Sequence, residues 1–370
     1  MKILQVINVR WVNATAWFAL NQARLLQGAG HEVLALTIPG SPVETEAKAM
    51  GLPVAVLPLN SRNPFTLFRL PFSLRRLMRR FSADLINCHR GESFIFFGLL
   101  RRLGGTFALV RTRGDQRLPK ANGFNRWLHT KAADAVTAAN PALLRAFRRD
   151  LGVPKERIAL IYGGVDTERF SFDATGRSRV RSEFGYTDQH RVVGLLGRFD
   201  RVKGHKEFLQ AVGQLVVQGR DNVRILLIGF ATATRREQVE AWASEAGVAE
   251  ITAITGRRED IAACISALDL AVIPSLWSEA IARSAMEIMA CERPLLASTV
   301  GVLPNLLPNR ALFDPEDIAA MAGLVERGLF DTGFSQGLVA SLNRRMVLLT
   351  DQEFLRRSLA LFAHARSNAN

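Results

Sequence analysis

No apolar run in the chain approaches the ~20 residues that a membrane-crossing helix needs. Its first residues, MKILQVINVRW, contain neither a long apolar segment nor a small-residue cleavage site. A soluble, cytoplasmic protein is the expectation from these absences. Cysteine is scarce: Cys88, Cys264 and Cys291 are the three among 370 residues, and their scatter fits no metal-type spacing. They read as reduced, mostly buried thiols without a chemical role. Two nucleotide-binding signatures are also missing. No GxGxxG follows the first apolar strand and no GxxxxGK[ST] occurs anywhere, which argues against a nicotinamide dehydrogenase and a P-loop NTPase.

Acidic residues are short in only one half. Residues 1–170 hold 25 Lys and Arg against 11 Asp and Glu, a net of +14, and the remaining 200 residues hold 23 of each sign. The whole excess of +14 lies in the N-terminal half, which suggests a polyanionic partner for that half: a phosphorylated acceptor, an anionic membrane surface or nucleic acid.

What is present is a repeated alternation. KILQVIN is followed by a helical stretch from about Trp17 to Gln27, a Gly30-His31 break and EVLALTI; ADLINCH, FIFFGLLRRL and FALVRTR repeat the order. SFDATGRSR, after Phe170, reads as a linker. Beyond it RVVGLLG, VRILLIG, EITAIT, LAVIPS and PLLAST are strand-like runs separated by helix-length segments. Strands alternating with helices imply parallel sheets covered on both faces. The expectation is α/β, with two doubly wound Rossmann-like domains: 1–170, 171–345, and a helical tail, 346–370, returning to the first. In such sheets ligands sit at the carboxyl ends of the strands.

Two segments at such ends carry chemistry. GRFDRVKGHKEFLQA starts at Gly197, whose missing side chain lets backbone approach a ligand, with Arg198 and Lys203 near the start of the next helix. Cations and a helix amide end suit a diphosphate. SEAIARSAMEIMA places Glu279 and Glu287 eight residues apart, about 80° on a helix. With Glu279 in the loop after LAVIPS and Glu287 in the second turn of the following helix, both can face one crevice. A carboxylate accepts two hydroxyl hydrogen bonds, which suits a vicinal diol.

Taken in order, GRFDRVKG, LLIG at 226–229, TGRREDI at 255–261 and ALDLAVIPSLWSEAIARSAMEIMA from 267 resemble the C-terminal half of the family 4 glycosyltransferases. GHEVLALT, VRTRGD and GGVDTERF extend the resemblance over nearly the whole chain. The resemblance implies the GT-B architecture, retaining transfer from a nucleoside diphosphate sugar, and no cofactor. Glu287 is then expected to hold the ribose and Glu279 the hydroxyls of the transferred sugar. The amides of Ala280, Ile281, Ala282 and Arg283 are expected at the sugar and phosphate, and Gly256 and Arg257 at the base. Arg198 and Lys203 would stabilise the leaving diphosphate in place of a metal; no DxD-like motif lies near them.

The chain departs from the family pattern in its N-terminal half. The family often has a Gly-Gly pair after the first strand, where this chain reads RWVNATAW; Asn13 to Thr15 are candidates for the sugar side instead. Where the family frequently has a histidine, Gly114 stands here, leaving Arg113 and Asp115, with His89 as a further candidate. AIA at 280–282 replaces a GFG-like run. FTLFRLPFSLRRLMRRF, residues 65–81, interleaves apolar residues with five arginines. It suits either an anionic membrane surface or an ordinary helix whose Phe and Leu face packs on the sheet. The partners expected are a nucleotide sugar and a glycan or lipid-linked acceptor, not nucleic acid. A glycosidase, a nucleic-acid binder and a degenerate binding protein without transferase activity remain as alternatives.

Overall fold

The computed structural model describes residues 1–115 and 117–369, except for the Leu67 side chain. It divides into two compact units. Unit 1 is 1–164 together with 351–370, and unit 2 is 165–350.

Unit 1 holds a seven-stranded sheet: β1 (Lys2–Val6), β2 (Glu32–Thr37), β3 (Val54–Val56), β4 (Leu85–Cys88), β5 (Ala108–Arg113), β6 (Ala135–Ala138) and β7 (Ile158–Leu160). Their order is β3-β2-β1-β4-β5-β6-β7, and every pairing is parallel. Unit 2 repeats the design with β8 (Arg191–Leu196), β9 (Val223–Ile228), β10 (Thr252–Ile254), β11 (Leu270–Ile273), β12 (Leu295–Ser298) and β13 (Leu312–Phe313). The order there is β10-β9-β8-β11-β12-β13, again all parallel. Leu, Ile and Val dominate β1, β4, β8, β9 and β11, whose residues are nearly all buried, as strands covered on both faces require. These two parallel sheets realise the doubly wound α/β reading.

Each order reverses direction once, between β1 and β4 and between β8 and β11. At such a point successive connections leave on opposite sides and open a crevice at the carboxyl ends of the strands. Both sites discussed below lie in loops at these ends.

Three boundaries differ from the sequence reading. Unit 1 ends after Gly164, not Phe170, because Val165 bonds backward to unit 2: its amide donates to the Leu349 carbonyl (2.9 Å) and it forms a bridge with Thr350. The tail starts at Asp351, not 346, because residues 346–350 remain with unit 2 after the helix Thr332–Met346. SFDATGRSR is no linker. Asp173 caps a helix, Ala174–Glu183, by accepting from the Gly176 amide, and Arg177 of that helix pairs with Asp269 at 2.6 Å.

The last helix, Asp351–Ala369, closes unit 1. Asp351 takes Asn21 Nδ2 and Arg24 Nη2, both at 2.7 Å, Phe354 meets Phe18 edge-on at 4.7 Å, and Ser358 accepts from Gln22 at 2.8 Å. The Gln22 contact extends into a wholly buried polar chain. Gln22 Oε1 accepts from Asn87, and Asn87 Oδ1 accepts from Thr112 (both 2.8 Å); His89 Nε2 lies 2.8 Å from Gln5 Oε1. Such groups tolerate burial because nearly all of them find partners.

Candidate functional site

In unit 2 the loop after β8 turns through a single 3₁₀ turn, Arg201–Lys203, to Gly204 and the helix His205–Val217. Gly204 has φ +71°, and a Cβ there would lie 2.0 Å from the Pro274 carbonyl oxygen. Glycine thus lets this loop press against the loop after β11, and the Leu276 amide donates to the Val202 carbonyl (2.9 Å) to seal the contact. On that clasp Lys203 Nζ donates to Glu279 Oε1, which also accepts from Ser275 Oγ at 2.8 Å. The Ser275 carbonyl in turn accepts from Ser298 Oγ (2.6 Å). Glu279 is buried, and its backbone is pinned by the Val302 amide (2.8 Å).

Between Glu279 and the next helix the chain makes a sharp turn. Ala282 adopts φ 53°, ψ 51°, the left-handed region that costs an L-residue ~1 kcal/mol or more. Where the family pattern has glycine, this chain carries Ala282 in glycine's conformation, fully buried. Its carbonyl accepts from the amides of Ala285 and Met286, which starts the helix Arg283–Ala290. Such strain is retained where a loop has a task. Glu287, in that helix's second turn, is buried and accepts from Arg283 Nε at 2.6 Å. Burial raises its pKa above the ordinary carboxylate range, while the Arg283 and Arg169 guanidinium groups oppose the rise.

The structure therefore brings Gly197, Lys203, Glu279 and the 280–283 turn to the β8/β11 crevice, with Glu287 in the helix that follows. Arg198 is half exposed and turned toward Asp200 Oδ2 (2.9 Å). Gly256, with φ +71°, and the exposed Arg257, stacked 4.2 Å over Phe230, follow β10. Sequence reasoning passed over three neighbours: Ser275, which orients Glu279; Asp200, which restrains Arg198; and buried His205, whose ring stacks edge-on to Phe199 at 5.1 Å. All three lie inside the quoted motifs, but only their partners reveal a role.

In unit 1 the candidates serve differently. Asn13 caps the helix Ala14–Gly28 by accepting from the Ala16 amide (3.1 Å), and Thr15 sits half-buried in its first turn. His89 does not face a crevice: it is 1% exposed, within the polar chain described above. Burial, with Arg111 nearby, lowers its pKa to about 3, so it is neutral. Asp115 lies between Arg113 Nε (3.8 Å) and Arg90 Nη1 (3.9 Å). Among the described residues no group of His, Cys, Asp and Glu has the geometry to hold a metal ion.

Two parallel-sheet Rossmann-like units define the GT-B class, and solved structures show the same fold. A glycosyltransferase from Rickettsia africae has a TM-score of 0.84 at 16% identity over 98% of both chains. The Anabaena protein HepE in complex with UDP has a TM-score of 0.84 at 18% identity over 98% of this chain and all of that one. A family model described as Glycosyltransferase Family 4 matches residues 15–169, and one described as Glycosyl transferases group 1 matches 190–331. The chain belongs to this family of group 1, family 4 glycosyltransferases. A curated relative, D-inositol 3-phosphate glycosyltransferase of Xylanimonas cellulosilytica, is 27% identical over 61% of this chain and 56% of its own length. Its counterpart in Mycobacterium marinum is 30% identical over 50% and 40%. The chain spans about half the length of the curated relatives it matches.

Proposed function

We propose that the chain is a retaining, metal-independent glycosyltransferase that moves a sugar from a nucleoside diphosphate sugar to a hydroxyl of a glycan, lipopolysaccharide-core or lipid-linked acceptor. The observation that carries this reading is the Lys203–Glu279 contact at the β8/β11 crevice, beside the strained Ala282 turn. It offers one cation for a diphosphate and one carboxylate for sugar hydroxyls. UDP is the first nucleotide to test, because HepE was solved with it.

In the reaction the bond between the anomeric carbon and the diphosphate oxygen breaks, and a bond to the acceptor oxygen forms on the same face. The acceptor proton passes to the departing phosphate oxygen. Lys203 and Arg198 stabilise the charge that develops on that group; Arg198 must leave Asp200 to do so. Glu279 holds the transferred sugar, Glu287 the ribose, and Gly256 and Arg257 the base.

The helix Pro64–Phe81 supports docking on an anionic membrane. Leu70 and Leu74 face inward, but Phe65, Phe68 and Phe72 are 60–71% exposed, alongside exposed Arg69, Arg75, Arg76, Arg79 and Arg80. Of the two readings of this segment, inward packing of the Phe face fails at these three positions. No helix among the described residues is long and apolar enough to cross a membrane.

The test is calorimetry with UDP, GDP and ADP, followed by transfer to a sugar-terminated acceptor in the presence of EDTA, with the product's anomeric configuration read by NMR. Binding of a nucleoside diphosphate and a retained configuration are expected. An inverted product, or transfer abolished by EDTA and restored by Mg²⁺, would overturn the mechanism. Absence of nucleotide binding would leave the degenerate binding protein as the better account.

A further inference from the structure

The helix Arg283–Ala290 carries an ion pair in an order that helix formation does not favour. Arg283 is its first residue and Glu287 lies one turn later on the same face, with Arg283 Nε donating to Glu287 Oε1 at 2.6 Å. A cation in the first turn sits against the positive end of the helix dipole. Nothing local offsets it: no acidic residue stands in that turn and no side chain caps its amides. The pair is poorly placed to support the helix. What it does change is the state of Glu287.

The two side chains stand in different surroundings. That of Glu287 is 8% exposed and that of Arg283 39%, so a half-exposed guanidinium meets an almost wholly buried carboxylate. Glu287 Oε2 accepts no hydrogen bond among the described residues. One oxygen is thus engaged by Arg283 and the other is left to accept. A carboxylate buried without a cation takes up a proton, and a protonated carboxyl no longer accepts freely at both oxygens. Burial raises the pKa of Glu287, and Arg283 is the foremost cation opposing the rise. The other, Arg169, precedes the helix Ala174–Glu183; it is exposed and lies over the Phe170 ring at 5.4 Å. One turn beyond Glu287, burial pushes the Cys291 thiol up to about 12, so it is neutral. Arg283 is therefore the near partner, and a guanidinium keeps its charge at every pH of interest.

We infer that Arg283 is a positioning residue for the nucleotide: it keeps Glu287 ionised and leaves Oε2 to accept from the ribose hydroxyls. The inference rests on the proposed role of Glu287 in holding the ribose. Because Arg283 does not itself titrate, binding loses its carboxylate only when Glu287 takes up a proton. Without Arg283 that step moves to higher pH, so the loss of affinity depends on pH, which a packing defect would not produce.

The experiment is calorimetry of UDP and of its 2′,3′-dideoxy counterpart, which lacks both ribose hydroxyls, between about pH 5 and 8. It uses the full chain and Arg283→Met, Arg283→Lys, Glu287→Gln and Arg283→Met/Glu287→Gln, with thermal melts to check folding. Should Arg283→Met unfold, Arg283→Gln, which keeps a donor but no charge, takes its place. At neutral pH Arg283→Met should weaken UDP about tenfold or more, as loss of a charged hydrogen-bond partner does, and the loss should shrink as pH rises. Arg283→Lys should restore most of the affinity. The dideoxy nucleotide should bind Arg283→Met as it binds the unsubstituted chain, and in the Glu287→Gln background the substitution should have no further effect. Carbon-13 NMR of the glutamate carboxyls, with the Glu287 signal assigned by its absence in Glu287→Gln, should find Glu287 titrating at higher pH in Arg283→Met. An equal loss for both nucleotides, or the same loss in the Glu287→Gln background, would mean that Arg283 touches the diphosphate itself and overturns the inference. A loss independent of pH, or a Glu287 titration that does not move, overturns it as well. If UDP, GDP and ADP all fail to bind the unsubstituted chain, the transferase reading falls and the nucleotide role of Arg283 with it; UDP binding with an unmoved Glu287 titration removes Arg283 alone.

Discussion

Glu279 and Glu287 are both buried carboxylates, but different groups neutralise them. Glu279 meets Lys203 and Ser275 across two loops, while Glu287 meets Arg283 one turn earlier on its own helix. That difference separates their expected effects. Glu287→Gln should weaken a bare nucleoside diphosphate as much as the full sugar donor. Glu279→Gln should leave the diphosphate nearly unchanged while lowering turnover and blurring the choice of donor sugar, an unpaired hydroxyl costing about 1–3 kcal/mol. Calorimetry of both variants with both ligands checks the split, and the reverse pattern would exchange the two roles. The raised pKa of Glu287 adds a pH signature. Ribose binding needs the carboxylate, so nucleotide affinity should begin to fall, on acidification, at a higher pH than an ordinary glutamate would impose, and Glu287→Gln should remove that limb. Ala282 allows a third test at this scale. Ala282→Gly relieves the left-handed strain at φ 53° and should raise stability by about 1 kcal/mol in thermal or urea unfolding. A destabilised variant would mean that the Ala282 methyl contributes more by packing than its backbone conformation costs.

Among the elements, the helix Pro64–Phe81 makes the sharpest prediction. Binding to vesicles should rise with anionic lipid content and fall with salt. It should largely vanish when Arg75, Arg76, Arg79 and Arg80 become Gln, and drop when Phe65, Phe68 and Phe72 become Ser, with the fold retained because these residues are exposed. Equal binding to neutral and anionic vesicles would remove the electrostatic argument. This helix also marks the limit of sequence reading: its Arg and Phe content was legible, but which face it buries depends on Leu70 and Leu74 docking on the sheet. The long apolar strands were legible for the same reason that they are central, since burial on both faces favours near-continuous runs of Leu, Ile and Val, broken in β1 and β4 only where Gln5 and Asn87 join the buried polar chain. The strands Val54–Val56, Ala135–Ala138 and Leu312–Phe313 were not, being two to four residues long and outside the central apolar runs. The loop pair around Lys203 and Glu279 was legible as motif; that Arg198 turns to Asp200, two residues on, depends on the loop's conformation, and that His89 lies inside the core is a tertiary fact without local signal.

On the scale of the whole molecule, both units store part of their pH dependence in buried neutral histidines. Burial lowers the pKa of His89 to about 3 and those of His129 and His205 to about 4, against 6.5 for the free side chain. Between those values the unfolded chain binds protons that the folded chain refuses, so the stability these groups contribute is complete above 6.5 and is lost as pH falls toward 4. Glu287 and Asp134, whose pKa values burial raises, act with the opposite sign and reach their full effect only at lower pH, where carboxylates take up protons. The histidines therefore dominate the first part of the acid limb. The thermal midpoint should be nearly level above about pH 7 and decline through pH 6 and 5, before most carboxylates titrate. His89→Gln keeps a polar group near Gln5 and Asn87 but has no proton to take up, so its decline should be shallower even if its midpoint at neutral pH is lower. Scanning calorimetry of the wild type and the variant across that range measures both slopes. Parallel slopes, or a wild-type midpoint unchanged down to pH 5, would show that His89 titrates alike in the folded and unfolded chain, and the buried polar chain joining β1, β4, β5 and the last helix would then have to admit a charge.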